Sequence, residues 1–261
     1  MNVKPPSDEN PLLVAIADGR ATVTLNRPAM HNRLDGTDLA ALADALGEID
    51  DNPEVRVVVL TGNGRSFCSG YDLGTLAKGA SGAAPVSDRF SFGTLVDRVE
   101  AMRAPTIAAL NGGVYGGGTD LALACDFRIG VAQTRIMMPA GQIGLHYYAS
   151  GIRRYVTRMT PGAAKRLFLL GETLHAEEML RIGYLDEIVP DLDALHARVD
   201  MIAGLLANAP SAEVIQGMKR AINRIADANM DPREADAASA ASRRSPIVAA
   251  AVAARLAKRK A

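Results

Sequence analysis

Two glycine-bearing turns constrain this chain more than any other feature: Phe67-Cys68-Ser69-Gly70-Tyr71-Asp72-Leu73 and Asn111-Gly112-Gly113-Val114-Tyr115-Gly116-Gly117-Gly118-Thr119-Asp120. Each follows a short apolar run, residues 55–60 for the first and 106–110 for the second. Each is therefore expected where a buried strand stops and the backbone turns tightly towards a helix. Tight corners of this kind leave main-chain N–H groups unpaired and aimed into a crevice. Two such groups converging on one spot form an oxyanion hole, which stabilises a carbonyl oxygen as it becomes negative. Removing one donor from such a hole typically costs about 3–4 kcal/mol of barrier.

Composition narrows the classes that remain. A chain of 261 residues, 48% apolar and 22% charged, belongs with ordinary globular proteins and has room for one sizeable domain with a helical appendage. Lys plus Arg equals Asp plus Glu, 29 each, so no global field draws it to nucleic acid or to an anionic membrane. Residues 1–10 are polar and proline-containing, unlike a signal peptide, and no apolar run approaches the ~20 residues of a membrane span. Cys68 and Cys125 are the only cysteines, which excludes a disulfide framework and sets a reduced, cytoplasmic location as the expectation. Cys68 lies in the first turn without a histidine nearby in sequence, so a small buried filler is favoured over a catalytic thiol. Four scattered histidines have no ligand spacing and argue against a metal site.

Residues 12–18 and 21–26 read as strands joined at Gly19-Arg20, and residues 37–50 carry the spacing of an amphipathic helix. Residues 55–60 read as a strand covered on both faces. Residues 74–93, rich in Gly, Ala and Ser, read as a mobile loop. Helix is expected over 95–102 and 118–124, and strand over 106–110, 126–131 and 135–138. From Gly151 onward the pattern is almost wholly helical, with start signals at Thr160-Pro161 and Ser245-Pro246 and a stop at Gly171. Alternating strand and helix followed by helices alone predicts an α/β core with a helical C-terminal region.

The segment Thr24-Leu25-Asn26-Arg27-Pro28, then Val57-Val58-Val59-Leu60-Thr61-Gly62 leading to the first turn, then residues 111–126, resembles the crotonase (enoyl-CoA hydratase/isomerase) superfamily from about Val14 to Val189. The resemblance implies a spiral of ββα turns with two roughly perpendicular sheets flanked by helices over residues 1–200. It also implies a C-terminal helical trimerisation region over 201–261, and a homotrimer or dimer of trimers. It implies an acyl-coenzyme A substrate whose thioester carbonyl becomes an enolate-like anion. Coenzyme A enters as part of that substrate, and no prosthetic group is implied.

Carried over by position, the oxyanion hole is the N–H of Tyr71 and that of Gly117, where the absent side chain lets an oxygen approach. The helix beginning near Gly118 adds its positive end to the same spot. Hydratases of the family use two glutamates, and here the matching positions are Asp120 and Ala140, in Met138-Pro139-Ala140-Gly141. Alanine neither holds water nor moves a proton. Asp120 is either a proton-handling group or a helix cap. A replacement polar set follows in Gly144-Leu145-His146-Tyr147-Tyr148-Ala149-Ser150-Gly151. Tyr147, His146 and Tyr148 are candidate proton donors, with the alternative that the rings only fill volume. A tyrosine matching Tyr147 occurs in the decarboxylase branch of the family.

For coenzyme A the resemblance implies main-chain groups around Ser69, Gly70, Asp72 and Leu73, and the segment Asn32, Arg33, Leu34. Arg33 is a candidate phosphate contact or a solvated surface residue. Arg255, Lys258, Arg259 and Lys260 form a basic end that either complements a helix terminus or reaches the nucleotide. The readings left open are a hydratase-like or decarboxylase-like lyase, a non-catalytic acyl-CoA-binding homologue, and a carbon–carbon bond hydrolase.

Overall fold

The computed structural model describes residues 10–72 and 91–227. Its first unit is a hairpin of β1 (Leu12–Ala17) and β2 (Arg20–Leu25), paired antiparallel. The turn is Asp18-Gly19, with φ of 51° and 75°, rather than the expected Gly19-Arg20. Two consecutive positive φ values match the right-handed twist of the flanking strands, which is why an Asp-Gly pair sits there. Helix α1 (Gly36–Asp51) follows, its end closed by a reciprocal pair of bonds between Asp35 and Asp38.

Next come β3 (Val57–Gly62) and β4 (Ser66–Cys68), then α2 (Phe92–Ala101), whose first turn the Ser91 hydroxyl caps. That cap starts the helix earlier than the expected residue 95, and Gly93 belongs to it. The chain continues with β5 (Thr106–Leu110), β6 (Gly113–Tyr115), α3 (Gly117–Ala124), β7 (Phe127–Val131) and β8 (Arg135–Met137).

The remainder comprises α4 (Ala149–Arg158), α5 (Pro161–Lys165), β9 (Thr173–His175), α6 (Ala176–Arg181), β10 (Glu187–Val189), α7 (Leu192–Ala207) and α8 (Ala212–Ala226). The start at Thr160-Pro161 is present, the Thr160 hydroxyl accepting from the Ala163 N–H, and Gly171 ends the turn after α5 in the left-handed region. Strands β9 and β10 correct the expectation of helix alone after Gly151. At three residues each they are too short for a period to declare them. The expected start at Ser245-Pro246 and the basic end at residues 255–260 lie outside the described residues.

Strands β1-β2-β3-β5-β7-β10 form one sheet, parallel from β2 onward, and β4-β6-β8-β9 form a second, parallel except for β8-β9. Successive side chains of a strand alternate faces. Val58 and Leu60 join the main core beneath α1, whereas Val57 and Val59 join a separate layer under Leu195, Val199 and Ala203 of α7. Burial on both faces explains the continuous β-branched run. Helix α7 runs unbroken through position 200.

Candidate active site

Each glycine turn holds a three-residue strand of its own, β4 in the first and β6 in the second. These strands pair in parallel, Ser66 with Gly113 and Cys68 with Val114, so the ends of both turns emerge side by side. The first turn then meets residues 32–34. The Leu34 N–H donates to the Gly70 carbonyl at 2.8 Å, and the Asp72 N–H donates to the Leu34 carbonyl at 2.9 Å. In a parallel ladder one residue bonds the two neighbours of its opposite number. Tyr71, opposite Leu34, therefore turns its own N–H to the other side. Among the described residues that N–H meets no acceptor, and neither does the N–H of Gly117, the first residue of α3. The first N–H groups of a helix have no partner within it.

Gly70 joins the two halves. Its φ is +84°, and a Cβ there would stand 2.5 Å from the Gly117 nitrogen. Only glycine lets the turns approach so closely. Tyr71 and Gly117 line one cavity of about 660 Å³, with Ser69, Phe92, Ala140 and the segment Leu145–Tyr148. No Asp, Glu, Lys or Arg stands among its described lining residues.

Asp120 stands behind this lining, fully buried. It does not cap α3: the capping position is Gly116, with no side-chain bond. Its Oδ2 accepts from the Tyr147 hydroxyl at 3.0 Å and from the Tyr148 hydroxyl, and its Oδ1 accepts from Arg154 Nε at 2.9 Å. Gly151, at the start of α4, permits this approach, since a Cβ there would lie 2.5 Å from the Tyr147 ring and 2.9 Å from Asp120 Oδ2. The Tyr147 and Tyr148 rings stack at 4.5 Å between centroids, and Phe168 backs Tyr147 at 5.2 Å.

Burial, and then the neighbouring Asp120 carboxylate, push both phenols above the usual tyrosine range. Burial alone would pull the Arg154 guanidinium down, but Asp120 and Glu100 overcome it and hold it up. His146 lines the cavity from the exposed segment before Tyr147 and forms no hydrogen bond with this cluster.

The coenzyme-groove residues divide. Ser69 and Tyr71 line the cavity. Asn32 is instead a buried brace: its Nδ2 donates to the Ser66 carbonyl at 2.8 Å and its Oδ1 accepts from the Arg27 N–H at 2.8 Å. Leu34 is buried in the core and acts through its main chain, and Arg33 is ion-paired with Asp72. Leu73 lies outside the described residues. Cys68 is buried and its thiol is pushed up to about 12, so it is a filler and no nucleophile at neutral pH. The described residues hold no cluster suited to a metal ion and no helix long and apolar enough to cross a membrane.

Arg154 is the residue that sequence reasoning missed. Its signal was faint: Ser150, Arg154 and Arg158 share one face of α4, and the acidic pair Asp97 and Glu100 shares one face of α2. Only packing shows that these faces meet, with Arg154 Nη1 at 2.9 Å from Asp97 and 2.7 Å from Glu100.

Comparison with known proteins places the chain in a family. The family model described as enoyl-CoA hydratase/isomerase matches residues 16–245. A short-chain-enoyl-CoA hydratase of Clostridium acetobutylicum is 32% identical over 216 residues, 81% of this chain and 80% of that one. A crotonyl-CoA hydratase of Syntrophomonas wolfei is 30% identical over 215 residues, 78% and 81% of the two chains. The crystal structure of an enoyl-CoA hydratase from Bacillus anthracis superposes with a TM-score of 0.77 at 28% identity, covering 88% of each chain.

Proposed function

The chain belongs to the enoyl-CoA hydratase/isomerase family, and we propose that it is a hydratase-like acyl-CoA lyase working through a thioester enolate. The observation that carries this reading is the pair of N–H groups at Tyr71 and Gly117, both without acceptors among the described residues and both on one cavity. They would hold the thioester oxygen as it gains charge, reinforced by the N-terminus of α3.

The proton is handled by a phenol backed by Asp120. In the dehydrating direction the α-carbon gives its proton to the phenolic oxygen as the phenol's own proton passes to Asp120. The electrons left on carbon delocalise onto the thioester oxygen, and the β-carbon–oxygen bond then breaks. The proton held by Asp120 returns through the phenol to the departing hydroxide, which leaves as water, and Asp120 is again a carboxylate. Hydration runs these steps in reverse. Tyr147 and Tyr148 both have the required contact with Asp120. A decarboxylase-like reading is less well supported, because no Lys or Arg among the described lining residues would receive a substrate carboxylate.

Thermal stabilisation by acyl-CoA thioesters tests the binding. Crotonyl-CoA hydration, run beside decarboxylation of a malonyl-type thioester, tests the chemistry. A melting point indifferent to a broad acyl-CoA panel would sink the reading. A lining without Asp, Glu, Lys or Arg among the described residues favours one second reading, an acyl-CoA binder without turnover. It predicts tight binding that Asp120→Asn leaves unaltered. For assembly, Met218, Ile222 and Ile225 make an exposed apolar stripe on α8. That stripe suits packing in a homotrimer or dimer of trimers, which light scattering on the full chain would measure.

A further inference from the structure

Arg154 does not line the cavity, yet its contacts decide what the cavity presents. It is fully buried, with Nε 2.9 Å from Asp120 Oδ1 and Nη2 3.5 Å from Oδ2. Its Nη1 is tied on the far side to Asp97 and Glu100. A planar guanidinium fixed at both ends sets the rotation of the carboxylate that it grips. Here Oδ1 faces the arginine, and Oδ2 receives the Tyr147 and Tyr148 hydroxyls. A phenol has one proton. With both protons committed to Oδ2, lone pairs are what the two oxygens retain for a ligand.

Building on the acyl-thioester reading, we infer that Arg154 is a positioning residue that orients Asp120 to draw in both phenol protons, so that the cavity offers two hydrogen-bond acceptors. Such a site takes acyl groups carrying a donor, such as a hydroxyl near the thioester, in preference to acyl groups carrying a carboxylate. The groups that bear on Asp120 are Tyr147 and Tyr148, Arg154 and Tyr155 of α4, and Tyr184. Beyond Arg154 stand Asp97 and Glu100 of α2, and the buried Cys68 thiol of β4 bears on Tyr184. Among the described residues Arg154 is the cation in direct contact with the carboxylate.

The test uses Arg154→Gln and Arg154→Lys in the full chain. For wild type, 3-hydroxybutyryl-CoA is expected to bind at least about 10-fold tighter than malonyl-CoA, and Arg154→Gln narrows that ratio to within about 3-fold. In turnover, Arg154→Gln lowers kcat by about 100-fold with KM changed less than about 3-fold. Arg154→Lys keeps the charge but not the fork, and recovers about 10-fold of the loss.

A wild type without ligand preference overturns the inference. So do folded variants with wild-type ratios and wild-type kcat, and so does a loss of kcat that follows melting temperature alone, with no recovery in Arg154→Lys. Where Arg154→Gln does not fold, Arg154→Lys is judged by the same shifts. Binding without turnover in wild type defeats the proposed lyase and leaves the Arg154 ratio decisive. Failure of either thioester to bind removes the acyl-CoA reading and this inference with it.

Discussion

Gly70 stands so close to Gly117 that a Cβ on the first residue would lie 2.5 Å from the amide nitrogen of the second. The contact spans two turns 47 residues apart and brings the two candidate oxyanion donors to one cavity. Gly70→Ala should therefore fail twice over. A side chain at φ +84° costs on the order of 1–3 kcal/mol of stability. Displacing the Gly117 N–H should lower kcat by about 100-fold or more, the usual cost of one lost oxyanion donor. Urea unfolding and steady-state kinetics on the same variant separate the two effects, and unchanged kcat would show that Gly117 has no role in the hole.

Asp120→Asn keeps the shape of the side chain and removes the charge that Arg154 faces. Breaking a buried pair by removing one partner typically destabilises by about 3–5 kcal/mol. A marked fall in melting temperature is expected, with loss of turnover. An Asp120→Asn variant with the wild-type melting temperature would contradict the pairing.

Tyr147→Phe and Tyr148→Phe distinguish the two rings. Each loses one hydrogen bond to a charged acceptor, worth about 1.5–3 kcal/mol in a buried setting. The phenol that carries the proton should lose far more kcat than its neighbour for a similar loss of stability. Solvent deuterium uptake at the α-carbon, measured with both variants, identifies it. Equal wild-type exchange in both would remove the phenol relay.

Burial lifts the Cys68 thiol to about 12, well above its ordinary value of 9.0. Its thiolate is therefore absent throughout the working range and forms only as pH rises towards that value. Iodoacetamide at pH ~8 should leave activity and mass unchanged until the protein is unfolded. Rapid labelling of the native protein with loss of activity would restore the thiol as a candidate.

The two turns were legible because glycines and the apolar runs before them are local signals. Most strands of the larger sheet were readable from their apolar runs, whereas Tyr71 and Gly117 were named only by position from the family resemblance. The three-residue strands β4 and β6 were not, since glycine-rich sequence carries no alternation at that length. The hairpin corner moved by one residue because Asp18 adopts positive φ alongside Gly19. Asp120 read equally well as a cap or as a functional group, and only tertiary packing shows it buried among two phenols and a guanidinium. Arg154 points inward because its partners lie 34, 54 and 57 residues away, beyond what any helical pattern reveals.

The two-sided burial of β3 has an effect on register. A slip of one residue would exchange Val58 and Leu60 for Val57 and Val59, and both layers would stay greasy. Alternation therefore does little to lock this strand in place. Polar clasps near the strand ends do so instead: the Thr61 hydroxyl on the Ala109 carbonyl at 3.0 Å, the Asn63 amide on Asn26 at 2.8 Å, and the Asn111 amide on the Gly64 carbonyl at 2.9 Å. A handful of amides and one hydroxyl thus decide where the following corner begins, and through it where the peptide nitrogen of residue 71 comes to rest.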